Sequence, residues 1–197
     1  MSEIRVIQKP DTINWEELAE CQQQAHENNK EDGVHMVCAD FSAEVLRDAV
    51  KDGVTFVALD ETSTLAGMLS VEYKEVHRWW HKGKGAYICY VAVSPRYKGQ
   101  GVYRKLSKAA EDKIVADGVI VEYLNTHIRN KPAQRAYEKD GYRKVRFSPG
   151  SGSDYYSVEM AKWINGQSKN TIVCAVIYRL SELVVRLLYK PGKIRRF

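Results

Sequence analysis

The chain has 197 residues, of which 44% are apolar and 28% charged, and its formal net charge is +5. This length allows one domain with a substantial core and leaves little room for a second full-sized domain. The four cysteines lie far apart, with no Cys-x-x-Cys pair and no histidine at metal-ligand spacing. We therefore predict reduced thiols, no disulfide framework and no metal-binding residues.

The positive charge is concentrated towards the C-terminal end. Residues 165–197 contain seven Lys or Arg residues against Glu182 alone, a local net charge of +6. The remainder of the chain carries 23 basic and 24 acidic groups, so the basic character belongs to this tail. The first eleven residues are largely polar and lack the apolar segment of a secretory signal, which favours the cytoplasm.

The first part of the chain predicts strands and helices in alternation. Residues 4–7 alternate between apolar and polar side chains, which predicts a strand. Residues 14–28 have one apolar face at helical spacing, which predicts a helix that Asn14 would cap. A short helix begins at Ser42, and residues 55–59 and 65–73 predict an antiparallel hairpin. The next segment, residues 77–84, predicts a polar aromatic loop. It could be a solvated hairpin tip that covers a core edge, or part of an acceptor site.

The most informative stretch is residues 85–110. Within it, residues 87–93 are continuously apolar and too short for an ordinary helix, which predicts a buried central strand. Pro95 ends the strand, and a polar run leads to Gly99 and Gly101, whose missing Cβ atoms allow a ligand to approach the backbone closely.

A helix over residues 100–117 follows this loop. The amides of residues 99–103 would therefore lie at a helix N terminus, a position that attracts anions. Arg96, Lys98 and Arg104 add positive charge, so a phosphorylated cofactor is the natural ligand. The alternative is an ordinary strand-to-helix turn in which the glycines serve tight geometry.

Further strands and a helix complete the body of the chain. Residues 119–126 predict a strand parallel to the central one, and residues 130–139 predict a helix that ends at Gly141. Residues 144–147 and 155–163 then predict a final pair of strands. The order of elements indicates an α/β fold with a mixed sheet.

Two motifs carry a resemblance to a known family. The first is Arg96-x-x-Gly99-x-Gly101, preceded by Val-Ala-Val-Ser-Pro at residues 91–95; it resembles the acyl-CoA signature of the GCN5-related N-acetyltransferase (GNAT) superfamily. The second, similar to another conserved block of that family, is Asn130-x-x-Ala133-x-x-x-Tyr137-x-x-x-Gly141-Tyr142. The similarity covers roughly residues 3–163. It implies a mixed, mostly antiparallel sheet with flanking helices and a splayed central strand pair.

The resemblance also implies an activity, which is direct transfer of an acyl group, most often acetyl, from acetyl-CoA to a primary amine. The backbone of residues 91–93 would hold the thioester carbonyl, and Tyr137 would protonate the departing CoA thiolate. By its spacing alone, Tyr137 is more typical of a packed helical tyrosine. The cofactor-binding residues that the resemblance implies are Val91, Ala92, Val93, Arg96, Tyr97, Lys98, Gly99, Gln100, Gly101, Val102, Tyr103, Asn130, Ala133 and Tyr137.

The general base is not identified by the motifs. Some family members have a glutamate on the fourth strand, but residues 87–90 of this chain contain no carboxylate. We favour Glu72 as the catalytic base, with a water chain or a merely solvent-facing glutamate as alternatives. Cys89 as a covalent nucleophile is a further possibility, although a cysteine in an apolar strand is usually packing. The other candidate bases are Glu75, His77, His81, Glu122 and His127.

The tail predicts an amphipathic helix outside the family core. Arg179, Glu182 and Arg186 recur on one stripe, and leucines and valines lie opposite. We divide the chain into an acyltransferase domain, residues 1–164, and a basic tail, residues 165–197. The tail helix could pack on its own domain, form a homodimer or lie on the anionic inner face of a membrane; nucleic acid is not favoured. The alternative function is a non-catalytic CoA-binding module whose tail docks to a membrane or partner.

Overall fold

The computed structural model describes residues 3–31, 34, 36–149, 156–164 and 171–188, with only the backbone for residues 28–31. These residues form seven strands and five α-helices. In chain order they are β1 (Arg5–Gln8), α1 (Trp15–Glu31), α2 (Ala43–Ala49), β2 (Val54–Leu59), β3 (Leu65–Arg78), β4 (His81–Val93), α3 (Val102–Ala116), β5 (Val121–His127), α4 (Lys131–Lys139), β6 (Arg143–Pro149), β7 (Tyr156–Trp163) and α5 (Thr171–Leu188). Two short 3-10 helices cover Val37–Asp40 and Pro95–Tyr97.

The strands form one sheet in the order β1-β2-β3-β4-β5-β7-β6. The pairs β1–β2, β2–β3, β5–β7 and β6–β7 are antiparallel. The predicted mixed, mostly antiparallel α/β fold with flanking helices is confirmed, and so is the presence of a C-terminal helix. The strand that follows α3 is a neighbour of β4 in the sheet, as the sequence predicts.

The chain divides into two compact units. The first comprises residues 1–74 and 86–119, and the second comprises residues 75–85 and 120–197, each within the described ranges. In the first unit, a core that includes Leu18, Leu46, Val57 and Met68 joins α1 and α2 to β2 and β3. In α3 the buried apolar residues recur every four positions, as an amphipathic helix on a sheet requires: Val102, Leu106, Ala110 and Ile114.

The second unit has its own core. Val76, Trp80, Val121, Val145, Ala161 and Cys174 form it, and Cys174 is the contribution of α5. A hydrogen bond also ties α5 to β6, since the Phe147 amide donates to the Ser181 hydroxyl at 2.9 Å. The boundary that we predict at residue 165 therefore precedes a helix that packs on β6, and the domain assignment stays a prediction.

Two local predictions need correction. Residues 77–84 are largely strand and not a loop, with the turn of the hairpin at Trp79 and Trp80. This agrees with the hairpin-tip alternative in covering a core edge, since Trp80 is 1% exposed and its indole donates to Glu159 Oε1 at 3.1 Å. Burial of this side chain extends the hairpin well beyond the predicted strand ends. The helix α1 continues to Glu31, three residues beyond its predicted end at residue 28.

Candidate active site

The start of α3 has the geometry of an open anion site. Gly99 and Gly101 have φ values of +79° and +76°, and a Cβ added at either glycine would meet nothing within 4 Å. Gly101 is the N-cap and has no side chain that could cap the helix. A helix N terminus without a side-chain cap is suited to an anionic ligand.

Other helices of the described chain begin differently. Asn14 accepts from the Glu17 amide at 2.8 Å in α1, Ser42 from the Val45 amide at 3.3 Å in α2, and Asn130 from the Ala133 amide at 3.2 Å in α4. These helix starts are satisfied from within the chain, whereas α3 presents glycine backbone to open space.

The loop before α3 is anchored by buried side chains. Tyr97 is buried, and its hydroxyl donates to Asp60 Oδ2 at 2.7 Å. This bond, with others from Thr62 and Thr64, lowers the pKa of Asp60 to about 2. Val102 is also buried. Of the predicted cofactor residues, Tyr97 and Val102 therefore turn their side chains into the fold and offer only their backbone.

The polar side chains of this loop are accessible to solvent and make local contacts. Arg96, Lys98 and Gln100 are exposed or half-buried. The Lys98 ammonium donates to the Ala25 carbonyl at 3.2 Å, and the Gln100 amide donates to the Arg96 carbonyl at 3.0 Å. Arg96 stacks over the Tyr97 ring, with its guanidinium carbon 5.6 Å from the ring centroid.

The end of β4 is distorted just before residues 91–93. Tyr90 has a φ of +50°, an unusual value for a bulky side chain in a strand. Its carbonyl accepts a hydrogen bond of 2.5 Å from Gln22 Nε2, on α1. The backbone that is predicted to hold a thioester carbonyl therefore leaves regular strand geometry immediately upstream.

The predicted residues of the second motif lie on α4, in the second unit. Asn130 caps the helix, as described above, and Ala133 and Tyr137 are partly buried. The Tyr137 ring meets that of Tyr142 at 5.9 Å between centroids, in a tilted arrangement. The amide of Tyr142 closes the helix end by donating to the Tyr137 carbonyl at 3.0 Å.

Comparison with known proteins decides the family. The model of the acetyltransferase (GNAT) family matches residues 13–142. The chain belongs to the GNAT acetyltransferase family. The family match runs from just before α1 to Tyr142, the residue before β6, and it includes both motifs.

Individual relatives are distant. The chain is 29% identical to N-alpha-acetyltransferase 30 of Schizosaccharomyces pombe over 92 residues, which is 47% of this chain and 59% of that protein. The chain thus spans well under two thirds of this curated relative. A GNAT acetyltransferase structure from Staphylococcus aureus Mu50 has a TM-score of 0.64 at 15% identity, covering 82% of this chain and 99% of that one. The structure of the NatC complex bound to Gag peptide and CoA contains a chain with a TM-score of 0.63 at 18% identity, covering 82% of this chain and 98% of that one.

In this GNAT protein the favoured base, Glu72, is partly buried and already has partners. The Lys74 ammonium lies 2.7 Å from Glu72 Oε2, and the Cys89 thiol donates to Glu72 Oε1 at 3.3 Å. Burial, with the charge of Glu72, raises the pKa of the Cys89 thiol well above its usual range. A thiol kept protonated in this way is suited to packing and not to nucleophilic attack.

The other candidate bases of the GNAT chain have various environments. Glu122 is buried and forms an ion pair with Lys162 at 3.1 Å. His127 is buried, its Nδ1 accepts from the Arg129 amide at 2.9 Å, and burial lowers its pKa. His81 Nε2 lies 3.1 Å from the Lys84 carbonyl oxygen. Glu75 and His77 are exposed. Among these residues, Glu72 combines partial burial with a place on β3, one strand from β4.

Sequence patterns missed two residues of this site, Gln22 and His26. Both lie on α1, with Gln22 1% exposed and His26 half-buried, and both hydrogen-bond to the β4 backbone. Burial lowers the pKa of His26 to about 4, with a further contribution from Lys98, so its ring is neutral at pH 7. They stand in a polar segment of α1, where no motif marks them.

Proposed function

We propose that this chain is an acyl-CoA-dependent N-acetyltransferase that moves an acetyl group from acetyl-CoA directly to a primary amine. The observation that carries the proposal is the start of α3, where two glycines at positive φ leave open space beside an uncapped helix. Exposed Arg96 and Arg104 add positive charge around it. Such a surface suits the pyrophosphate of the acyl donor.

The chemistry divides into three tasks, each assigned to residues of this chain. Glu72, directly or through water, takes the proton of the acceptor amine. Backbone amides of residues 91–93 donate to the thioester oxygen as negative charge develops on it. Tyr137 gives a proton to the sulfur that leaves, and Asn130 and Ala133 contact the pantetheine arm. The roles of the α4 residues rest on the family motif.

The acceptor class follows from how few proton acceptors lie near β4. β4 carries no carboxylate, and Glu72 is held by Lys74. At neutral pH roughly a tenth of α-amines are already unprotonated, since their pKa is near 8, whereas lysine amines with pKa near 10.4 are almost wholly charged. We therefore propose the α-amine of a peptide as the acceptor, a class that agrees with the name of the fission-yeast relative and with the peptide in the NatC structure.

The test is a coupled measurement of binding and turnover. Acetyl-CoA should raise the melting temperature of the protein, and a panel of acceptors should then show which amine causes release of free CoA. The panel compares peptides with a free N terminus, the same peptides with a blocked N terminus and an internal lysine, amino sugars and polyamines. No thermal shift would contradict the donor assignment. A shift without CoA release from any amine would favour the non-catalytic CoA-binding alternative.

We also propose that α5 contacts a second copy of the chain. Its apolar side chains face outward, with exposed fractions from 45% to 72%, at Ile172, Val173, Val176, Leu180, Leu183, Val184, Leu187 and Leu188. The side of α5 that faces its own unit instead carries Cys174 and Tyr178, which are buried, and Glu182, which is 17% exposed, while Arg179 and Arg186 remain 78% and 50% exposed. A surface helix usually turns its apolar side chains towards its own core, so this outward apolar face requires a partner.

The spacing of these side chains favours another helix as the occupant. Residues 173, 176, 180, 183 and 187 repeat at alternating intervals of three and four, the pattern of helices that pack along a seam. Eight such half-exposed side chains present apolar area on the order of 500 Å². A stable homodimer buries about 800 Å² per partner, of which about 65% is apolar, so the face has the required size. Among the described helices, none is long and apolar enough to cross a membrane.

A further inference from the structure

The strained backbone at Tyr90 requires an explanation. Tyr90 lies within β4, three residues before the end of the strand, and its φ of +50° is in the left-handed region. An L-residue with a large side chain adopts this region only when the surrounding structure holds it there. Besides glycines, Ser63, in the turn between β2 and β3, is the one other residue of the described chain with positive φ.

The holding contact comes from a buried side chain on α1. Gln22 is 1% exposed, and its Nε2 donates to the Tyr90 carbonyl at 2.5 Å. Because a trans peptide is planar, its carbonyl and the following N–H point in opposite directions. A Tyr90 carbonyl that is held towards α1 therefore directs the Val91 N–H away from α1.

The same helix holds the neighbouring residues of β4 and its loop. His26, one turn after Gln22, hydrogen-bonds to the Val91 backbone. Between them, the Ala25 carbonyl accepts from the Lys98 ammonium at 3.2 Å. One face of α1 is thus tied to the chain at the distortion and just after it. The contact at Tyr90 itself comes from a side chain 68 residues earlier in the sequence.

The amide oxygen of Gln22 shows that this arrangement lowers the stability of the fold. Gln22 Oε1 is buried and has no hydrogen-bond partner among the described residues. An unpaired buried carbonyl oxygen is unfavourable, and an apolar side chain of the same size would remove the penalty. Stability alone therefore does not explain a glutamine at this position, whereas a requirement for its Nε2 donor does.

We propose that Gln22 is a positioning residue, which holds the Tyr90 carbonyl so that the Val91 N–H is aimed at the thioester oxygen of the acyl donor. The inference rests on the proposed acetyltransferase function. His26 supports the same segment through Val91. Gln22 acts through the backbone and touches neither donor nor acceptor.

The test compares ligands with and without the acyl carbonyl. Free CoA lacks the oxygen that the Val91 N–H would meet, and acetyl-CoA has it. Gln22→Met keeps the volume and removes the donor, and Gln22→Glu keeps the shape and replaces the donor with an acceptor. In both variants we expect the dissociation constant of acetyl-CoA to rise about 5-fold or more relative to that of CoA. We expect kcat to fall about 10- to 100-fold.

A buried hydrogen bond elsewhere in the same unit is the control. Thr55 is buried in β2, and its hydroxyl lies 2.9 Å from that of Ser70. Thr55→Val should lower the melting temperature while leaving the ratio of acetyl-CoA to CoA affinity unchanged. If Gln22→Met does not fold, Gln22→Asn keeps the amide and withdraws it by one methylene, and it should show the same change in ratio.

Equal weakening of CoA and acetyl-CoA in the Gln22 variants would overturn the proposal, because it would indicate a general loss of structure. An unchanged ratio with unchanged kcat would overturn it as well. The failure of the proposed function is a separate result, since wild-type protein would then release no CoA with any amine. The affinity ratio would still test the role of Gln22 in that case.

Discussion

Tyr137 is the residue that the proposed chemistry needs as an acid. Replacement by Phe removes the phenolic proton and keeps the ring that contacts Tyr142 at 5.9 Å. We expect kcat to fall about 100-fold, because the CoA thiolate would leave without a proton donor. The affinity for CoA, measured by calorimetry, should stay within about 2-fold. Turnover equal to wild type would remove Tyr137 from the mechanism.

Glu72 is the residue proposed as the base. In Glu72→Gln the shape is kept and the carboxylate is lost, so kcat at pH 7 should fall about 100-fold, because the acceptor amine loses its proton acceptor. Lys74, which lies 2.7 Å from Glu72, provides the control. Lys74→Gln removes the ion pair and leaves the carboxylate in place. A Glu72→Gln variant with the kcat of the wild type would assign the proton transfer to water or another group.

His26 predicts a pH dependence of stability. Its pKa is lowered from 6.5 to about 4 in the fold, chiefly by burial. The unfolded chain therefore binds this proton more strongly than the folded chain, and stability falls as the pH drops from about 6.5 towards 4. The expected loss is on the order of 1–3 kcal/mol.

Urea unfolding at pH 7 and pH 5 would measure this effect, and His26→Gln should reduce the difference between the two. Some dependence should remain, because burial also lowers the pKa of His127. Asp60 keeps its charge in this window, since its pKa is about 2. An identical pH difference in His26→Gln and wild type would contradict the burial of a neutral ring at this position.

At the scale of elements, α3 offers a matched pair of glycines. Gly101, at its start, and Gly118, just after its end, have φ values of +76° and +71°, and neither has an atom within 4 Å of an added Cβ. Alanine at either position should cost about 1–2 kcal/mol through backbone strain. Only Gly101→Ala places a methyl group where the donor would approach.

We therefore expect similar melting temperatures for Gly101→Ala and Gly118→Ala. Calorimetric titration with CoA should show affinity at least 10-fold weaker for Gly101→Ala and near wild type for Gly118→Ala. Equal affinities in the two variants would count against the start of α3 as the phosphate site.

At the scale of the whole molecule, α5 predicts self-association. Light scattering after size exclusion should give a dimer for the full chain at micromolar concentration. Leu183→Glu, at a position 57% exposed, should give a monomer because two carboxylates would be buried in the seam. Val115→Glu provides the control, since Val115 on α3 is 53% exposed and has no such pattern around it.

A monomeric wild-type chain would contradict the dimer. Co-sedimentation with anionic vesicles, lost in Leu183→Glu and kept in Val115→Glu, would then assign the apolar face of α5 to a lipid surface. The two proposals, catalysis and self-association, fail independently of each other. Activity in a monomeric Leu183→Glu variant would show that α5 is not needed for chemistry.

The amino-acid sequence by itself determined the family, the order of elements and the loop before α3. These depend on local patterns: an apolar run ended by Pro95, glycines at fixed intervals and a helix of regular periodicity. The same is true of the α1 and α2 caps, because Asn14 and Ser42 bond to amides three residues away. Interactions within a few residues can be predicted from spacing alone.

Only the tertiary structure decided which side chains these patterns expose or bury. Gln22 meets Tyr90 across 68 residues, and Trp80 meets Glu159 across 79, so no local pattern marks either contact. Tyr97 turns inward to Asp60, although the motif alone would place it among ligand-binding residues. The outward apolar face of α5 could not be predicted from the sequence either. Periodicity defines two faces of the helix, and only packing against β6 decides which of them is covered.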